Sequence, residues 1–332
     1  MDESSIEVTT TLVTTRQQRP MLVDVFTRLV KEKPLGAVGG FIVLLLVLTA
    51  IFADLAWLGL PDIGLAPYGL TEQSLRERLE PPSGMHLLGT DNLGRDLLSR
   101  VIYGSRVSIT VGLAGSAICT LVVTLIGLIS GFASGKTDIL IQRFVDAWMC
   151  FPPLFIFLTV MALVGQGLWQ VIFVLGITRG IAQSRIIRGA VIGIKENVYV
   201  DAARAVGSPT FRTLLRHILP NIMAPILTIF AVSSGYLILG EATLSFLGYG
   251  IPPPTPSWGG MLSGAGRRFM QQAPWLALWP GIALCITVYG LNMLGDAIRD
   301  LLDPRLRGGL GRYSGVETKR AKERTKRTRA EA

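Results

Sequence analysis

Residues 107–135 read VSITVGLAGSAICTLVVTLIGLISGFASG and contain no charged side chain. A helix rises ~1.5 Å per residue and the hydrocarbon core of a bilayer is ~30 Å thick, so about 20 apolar residues suffice to cross it. Four further charge-free runs lie at 35–52, 147–178, 218–240 and 270–295. The third of these five runs is long enough for two spans, with a hinge near Gly165 and Gly167. The pattern predicts an all-α polytopic membrane protein with about six transmembrane helices.

The composition favours the same class. Half of the residues are apolar, 17% are charged, and the mean hydropathy is +0.48. The net charge of +9 comes from basic residues concentrated at 16–33, 136–143, 185–216 and 299–329. These segments fall on one side of the predicted bundle, so the positive-inside rule places both termini in the cytoplasm. Because topology accounts for the basic excess and no aromatic residues interleave with it, we expect no nucleic-acid partner.

The two ends of the chain are polar. Residues 1–34 are predicted to form a cytoplasmic tail and an amphipathic helix, which either lies on the bilayer surface or packs on a partner. No apolar core precedes Leu35, so we expect no cleaved signal peptide. Residues 305–332 are predicted to form a basic cytoplasmic tail, which is either a disordered, solvated end attracted to anionic lipid or a regulatory segment. Between them we expect a first transmembrane helix at 35–57, an extracytoplasmic loop at 58–105 and a core of five transmembrane helices at 106–304.

A polar segment interrupts the core at residues 199–220, which read YVDAARAVGSPTFRTLLRHILP. Good helix formers precede Gly207, which suits a left-handed helix cap. Ser208 then offers an N-cap, and Pro209 suits the first position of a second helix. Ala202 and Ala203 leave one face of the first helix nearly bare, so another backbone can approach it. The segment is either a docking device or an amphipathic connector between two spans.

The spacing of Asp201-Ala-Ala, Gly207 and His217-Ile-Leu-Pro220 resembles the cytoplasmic coupling loop of ABC importer permeases. The resemblance places that loop at 196–219 and implies that its helix inserts into a groove on an ATP-hydrolysing subunit. The family's usual first residue is Glu, and Asp201 keeps the charge with a shorter side chain. The residues that the resemblance assigns to ATPase coupling are Asp201, Ala202, Ala203, Arg204, Gly207, Ser208, Pro209, Leu219 and Pro220.

Three further segments resemble the dipeptide, oligopeptide and nickel branch of the same permeases. They are HLLGTDNLGRD at 86–96, LSFLGYGIPPPTPSWG at 244–259 and NMLGDAIRDLLDPR at 292–305. The resemblance implies the type I ABC importer permease architecture in the plasma or inner membrane of a prokaryote. It also implies peptide cargo and several partners, namely the lipid bilayer, a second homologous permease, two ATP-binding subunits and an extracytoplasmic substrate-binding protein. Nickel or another small solute is the alternative cargo.

A secondary transporter driven by an ion gradient is the rival class. It would normally show internal repeats with paired broken helices, and we find no convincing repeat in the sequence. The loop 131–137 resembles a phosphate-binding loop but has the wrong glycine spacing, so the chain is expected to be a non-catalytic permease subunit. No spacing of Cys or His residues indicates a metal or cofactor site.

Polar residues inside the predicted spans are candidates for function, because their burial in lipid is costly. Glu241 lies towards the outer end of the fifth span and either lines the pathway or gate or bonds to a neighbouring helix. Asn292 in the last span has the same two interpretations. Asp91, Arg95 and Asp96 are expected to form an ion-paired turn that fixes the start of the second span; contact with the substrate is the alternative.

Overall fold

The computed structural model describes residues 29–54 and 64–302. The predicted N-terminal tail with most of its amphipathic helix (1–28), and the basic tail at 305–332, lie outside these ranges. The described chain is helical, apart from turns and one isolated bridge between Thr90 and Asp96. Its helices are α1 Pro34–Ile51, α2 Leu97–Ala133, α3 Gly135–Met149, α4 Pro153–Val164, α5 Leu168–Lys195, α6 Val198–Ala205, α7 Thr210–Phe246, α8 Trp258–Met261 and α9 Trp275–Leu302.

Four of these helices, α1, α2, α7 and α9, are long and apolar enough to cross a bilayer. A fifth crossing is formed if α3 and α4, which meet at a bend of 90°, are counted as one broken span. Helix α5 has 28 residues but is more polar, because it carries several basic side chains. The prediction of a polytopic helical membrane protein is confirmed. The fourth predicted span, the second half of the 147–178 run, corresponds to α5, which length and hydropathy alone do not identify.

The apolar run at 147–178 was predicted to hold two spans with one hinge. The hinge is present, since α4 ends at Val164 and Gly165 and Gly167 have φ values of +90° and +155°. A second break separates α3 from α4 at Cys150–Pro152, and this break was not predicted. Its cause is the Pro152-Pro153 pair, because a proline disfavours the helical region for the residue before it.

Helix α2 begins at Leu97, inside the segment predicted as the loop 58–105. Asp96 caps it by accepting hydrogen bonds from the Ser99 backbone N–H and hydroxyl, both at 2.8 Å. Asp91 Oδ2 accepts from Arg95 Nε at 2.7 Å in the preceding turn. The predicted ion-paired turn before the second span is therefore confirmed, and the cap extends the helix outward by several residues.

Helices α2 and α5 form the most extensive contact of the bundle. Glycines allow it: a Cβ atom at Gly127 would lie 2.7 Å from Ile187 Cβ, and one at Gly131 would lie 2.8 Å from Val191 Cβ. On α5, a Cβ at Gly180 would lie 2.7 Å from Val122 Cβ. Small residues at such crossings let helix backbones approach closely, which is how helices associate in lipid.

The other helices pack around α2. Ser116 on α2 and Ser234 on α7 are joined by a hydrogen bond of 3.0 Å in the buried interface. Helix α1 packs on α9, where a Cβ at Gly290 would lie 2.6 Å from Ile42 Cγ2. Trp258 is buried, with its Nε1 donating to the Val101 carbonyl at 3.0 Å. The loop before α8 is therefore pinned to the start of α2.

We call the close contact of α2 and α5 at Gly127, Gly131 and Gly180 the α2–α5 seam. It predicts different effects on stability for two glycine-to-alanine changes on α5. Gly180→Ala overpacks against Val122 and should destabilise the chain by about 1–3 kcal/mol. Gly189 has no atom within 4 Å of an added Cβ, so Gly189→Ala should be neutral or stabilising by about 0.5–1 kcal/mol. Thermal unfolding of the purified full chain in detergent measures both. Equal melting temperatures for the two variants would contradict the seam.

Candidate functional site: the 196–219 loop and the polar groups of the spans

Helix α6 and its elbow follow a recognised capping geometry. The Gly207 N–H donates to the Arg204 carbonyl at 2.9 Å, and the Ser208 N–H donates to the Ala203 carbonyl at 3.0 Å. Gly207 has φ +78°, which glycine adopts without a steric penalty. These bonds form a Schellman motif, which ends α6 and reverses the chain.

The predicted start of the second helix is wrong by one residue. Pro209, with φ −64° and ψ 146°, is the N-cap of the helix that begins at Thr210. Ser208 is not the N-cap, because its N–H completes the Schellman motif of α6. Its hydroxyl accepts a hydrogen bond from Thr213 Oγ1 at 3.3 Å. The two helices are separated by an elbow at Ser208 and Pro209, as predicted. However, Pro209 rather than Ser208 is the N-cap of the second helix.

The first turns of α7 are irregular. The helix passes through a π-turn at Leu214–Ile218 and a 3₁₀ turn at Leu219–Ile222 before it becomes regular at Met223. Pro220 lies at this change of winding, and it has no N–H to donate into the helix. The irregularity separates the exposed start of α7 from its apolar, membrane-crossing part.

The predicted coupling residues are mostly on the surface. Val200 anchors α6 and is fully buried, and Thr213 and Ile218 anchor the start of α7. The exposed residues of the predicted set are Asp201, Ala202, Arg204, Gly207, Pro209 and Pro220, while Ala203, Ser208 and Leu219 are half-buried. Asp201 and Arg204 form an exposed ion pair at 3.4 Å, a type of contact that contributes little to stability.

Large apolar side chains are exposed on the same loop. Val198 is 84% exposed and Val206 is 88% exposed at the two ends of α6, and Phe211 is 73% exposed just beyond the elbow. An exposed apolar patch rimmed by polar side chains is typical of a protein–protein contact. The loop therefore presents a surface suited to another protein.

The loop is also attached to the end of α2. The Arg204 guanidinium lies 5.3 Å from the centroid of the Phe132 ring, within the range of a cation–π contact. Lys195, at the end of α5, donates to the Phe132 carbonyl at 2.7 Å and to Ser134 Oγ at 2.6 Å. Helix α6 is thus held to α2 as well as to the helices that precede and follow it.

An ionic cluster fixes this end of the bundle; we call it the Asp138 clamp, formed by Ser130, Asp138, Gln142 and Arg188. Arg188 donates to both carboxylate oxygens of Asp138, at 2.7 Å from Nε and 2.5 Å from Nη2. Ser130 Oγ donates to the same carboxylate and accepts from Gln142 Nε2 at 2.8 Å. Because these residues come from α2, α3 and α5, the clamp ties the three helices together.

Glu241 is fully buried near the other end of α7. Ser245 Oγ donates to its Oε1 at 2.6 Å and also accepts from the Ile251 N–H at 3.3 Å. Its Oε2 makes no direct hydrogen bond with any described residue. In this conformation Glu241 supports the turn that follows α7, and its role in a pathway or gate stays a prediction.

Asn292 is exposed on α9. Its Oδ1 packs on Gly235 of α7, where a Cβ added to the glycine would lie 2.9 Å from this oxygen. Gly235 precedes Glu241 by six residues, or about 9 Å of helix. The two gate candidates therefore lie at different depths. Their separation gives no support to a shared polar site, and the role of Asn292 also stays a prediction.

The sequence analysis missed Arg179, which lies near the middle of α5. Its guanidinium stacks on Tyr236 of α7, 3.9 Å from the ring centroid. With the Gln183 amide oxygen turned towards it, Arg179 donates from Nη2 at 2.6 Å. No carboxylate among the described residues pairs with it. The sequence signal for Arg179 is the end of the charge-free run at Thr178. The same pattern also fits the end of a membrane span, so it does not by itself identify a charge within the span. A charge at mid-span is a functional candidate by default.

A multi-helix membrane bundle with an exposed helix and elbow between two of its long helices is the architecture of a permease component. The family described as "Binding-protein-dependent transport system inner membrane component" matches residues 123–308. That range covers α3 to α9, including α6, the elbow and the clamp.

Individual relatives agree. A putative peptide transport system permease protein of Brucella suis biovar 1 is 39% identical over 81% of this chain and 88% of its own length. The dipeptide transport system permease protein of Alkalihalophilus pseudofirmus is 37% identical over 86% of this chain and 90% of its own. The oligopeptide transport system permease protein of Bacillus subtilis is 37% identical over 83% and 88%.

The chain belongs to the family of binding-protein-dependent transport system inner membrane components. It is a multi-pass membrane protein and one component of a transport system. The resemblance found in the sequence to ABC importer permeases is confirmed.

The Asp138 clamp predicts a measurable loss of stability. Arg188→Ala removes two charge-assisted hydrogen bonds and should cost about 2 kcal/mol, which corresponds to roughly 4–8 °C in melting temperature. Arg143→Ala is the matched control, because Arg143 is 78% exposed in its ion pair with Asp146. The exchange of Asp138→Arg with Arg188→Asp should recover part of the loss. Indistinguishable melting curves for Arg188→Ala and Arg143→Ala would refute the clamp.

Proposed function

We propose that this chain is the permease subunit of an ATP-driven importer and forms the translocation pathway for peptides together with a second homologous permease. One of two ATP-binding subunits would dock on its 196–219 loop, and the other would dock on the matching loop of the second permease. An extracytoplasmic substrate-binding protein would deliver the cargo. The peptide cargo is supported by the relatives, which are named for peptide, dipeptide and oligopeptide transport. The chain itself would be non-catalytic, and ATP hydrolysis belongs to the partners.

The observation that carries this proposal is the surface of α6. It combines an anchored side, through the buried Val200, with an exposed side that bears Ala202 and the apolar Val206. A small residue such as alanine lets a foreign backbone approach, and the flanking apolar side chains gain by leaving water. An amphipathic connector would be expected to bury such side chains against its own spans.

The attachment of the loop supplies a mechanical route. When the ATP-binding subunits close, their grooves would carry α6 with them. The contact of Arg204 with Phe132 and the bonds of Lys195 would pass that displacement to α2. The Asp138 clamp would then carry α3 and α5 along. The helices would rock as one rigid body and expose the pathway to each side in turn.

The same proposal fixes the orientation of the chain. The 196–219 loop and the Asp138 clamp face the cytoplasm with both termini, and residues 58–105 face outward. The basic residues Arg185, Arg188 and Lys195 at the clamp end of α5 agree with the positive-inside rule. Residues 131–137, which resemble a phosphate-binding loop in sequence, form the end of α2 and the start of α3. A phosphate-binding loop would instead follow a strand, so we assign ATP hydrolysis to the partner subunits.

Blocking the exposed face of α6 tests the proposal. Ala202→Arg adds a long charged side chain where we expect a groove to dock. It should lower ATP-dependent uptake of a dipeptide at least tenfold, because a bulky, unpaired charge is costly in an interface. The measurement uses proteoliposomes that contain both permeases and both ATP-binding subunits, supplied with the loaded binding protein.

The control is Ala133→Arg, which makes the same change at an exposed alanine at the end of α2. Both variants should assemble with the partner permease and melt like the wild type. Equal uptake by the two variants would remove the docking role from α6. Uptake that follows a proton or sodium gradient without ATP would instead favour a secondary transporter.

A further inference from the structure

A cleft of about 520 Å³ lies at the end of α2 opposite the Asp138 clamp. It is formed mainly by the turn before α2, the first turn of α2, the loop between α7 and α8, and the segment that follows α8. Its polar lining includes Asp91, Arg95, Arg100, Ser245, Ser257 and Arg268. Small-molecule sites usually have volumes of about 300–1,000 Å³, so the cleft can hold a short peptide or the end of a longer one.

Arg100 is the unusual group in this lining. Its side chain is nine-tenths buried, with 10% exposure, and its Nε is 3.7 Å from Asp91 Oδ2. Its Nη1 has no hydrogen-bond partner among the described residues. A buried cationic donor without a partner is costly. Such a group is therefore a candidate ligand-binding group when it lines an open cleft.

Asp91 does not satisfy Arg100, because other groups occupy its carboxylate. Its Oδ1 accepts from the backbone N–H of Leu93 at 2.8 Å and from that of Arg95 at 3.0 Å. Its Oδ2 accepts from Arg95 Nε at 2.7 Å. The guanidinium of Arg100 is left with this one long contact and forms no hydrogen bond with another described residue.

Arg268 adds a further cation to the lining. It is exposed, its guanidinium lies 5.8 Å from the Phe269 ring centroid, and no described carboxylate forms an ion pair with it. Three arginines and a single aspartate are the charged groups of the lining. A concave site with an excess of one charge concentrates ligands of the opposite charge. The cleft therefore selects for an anion.

We propose that the cleft is a carboxylate-binding subsite that receives the C-terminal carboxylate of the peptide as it enters the permease. This inference rests on the proposed import of peptides. The guanidinium of Arg100, which lines the cleft, would bind the carboxylate, since a planar guanidinium can donate two parallel hydrogen bonds to it. Arg268 at the rim would attract the same group. The exposed Thr255 hydroxyl in the lining can accept a hydrogen bond from the peptide backbone.

The test compares Arg268→Gln with Arg267→Gln. The two arginines are adjacent and both are exposed, but only Arg268 lines the cleft. Each variant transporter is reconstituted with both permeases and both ATP-binding subunits. The binding protein is loaded either with a peptide that has a free C-terminus or with its C-terminal amide, and equal loading is verified by mass spectrometry.

Arg268→Gln should lower uptake of the free-carboxylate peptide about tenfold, the size expected for one lost charge-assisted contact. Uptake of the amide should change little, and Arg267→Gln should behave like the wild type with both ligands. Arg100→Lys is a second variant, which keeps the charge but loses the planar fork. It should show the same selective loss at an unchanged melting temperature.

Several outcomes would overturn the proposal. One is an equal loss of uptake for both peptides in Arg268→Gln, together with weaker docking of the binding protein. That result would mean that Arg268 pairs with an acidic group on the binding protein. Another is no difference between Arg268→Gln and Arg267→Gln. If the wild type imports neither peptide with ATP, the proposed function itself fails, and that result is visible before any variant is compared.

Discussion

Inside a bilayer, apolar side chains gain little by leaving lipid for a neighbouring helix, so a helix bundle is held by close packing and a few polar bonds. In this protein the decisive contact is the seam between α2 and α5. A Cβ at Gly127, Gly131, Gly176 or Gly180 would stand 2.7–2.9 Å from atoms of the facing helix. The seam fixes the register of the two helices. That register places Arg188 opposite Asp138 and brings Lys195 to the last turn of α2.

The length of α2 connects the two functional regions. Its 37 residues span about 55 Å, more than the bilayer core requires. One end, capped by Asp96, carries Arg100 into the cleft. The other end carries Phe132 and Ser130 to the 196–219 loop and to the clamp. A displacement delivered at the loop therefore acts on the same rigid helix that forms one wall of the cleft, which offers a direct link between ATP hydrolysis and the site where cargo would enter.

Much of this could be predicted from the sequence, because the features involved are local. Charge-free runs identify the helices that cross the bilayer, Gly207 identifies the end of α6, and the turn at 91–96 identifies the start of α2. The break between α3 and α4 was also encoded, by Pro152 and Pro153, but the apolar residues on both sides concealed it. Likewise, the charge-free run that ends at Thr178 conceals Arg179, since a charged residue after an apolar run normally indicates the end of a membrane span.

Other features depend on contacts between distant parts of the chain, and no single sequence reveals those pairings. The clamp joins Asp138 to Arg188, and the cleft brings Arg100 and Arg268 together. The buried Trp258 likewise depends on a distant partner, because its Nε1 donates to the Val101 carbonyl of α2. The exposure of Val206 and Phe211 also could not be foreseen, since an apolar residue in a short helix is more often buried.

The central claim is that the loop and the ends of α2, α3 and α5 move as one body. The most direct measurement is the distance between spin labels at Val206 and Lys136, both exposed, by pulsed electron paramagnetic resonance in the assembled transporter. If these parts move together, this distance stays constant within about 2 Å between the nucleotide-free and ATP-bound states. The distance from Val206 to the matching loop of the second permease should shorten at the same time. A change between Val206 and Lys136 as large as the change between the two loops would contradict the account.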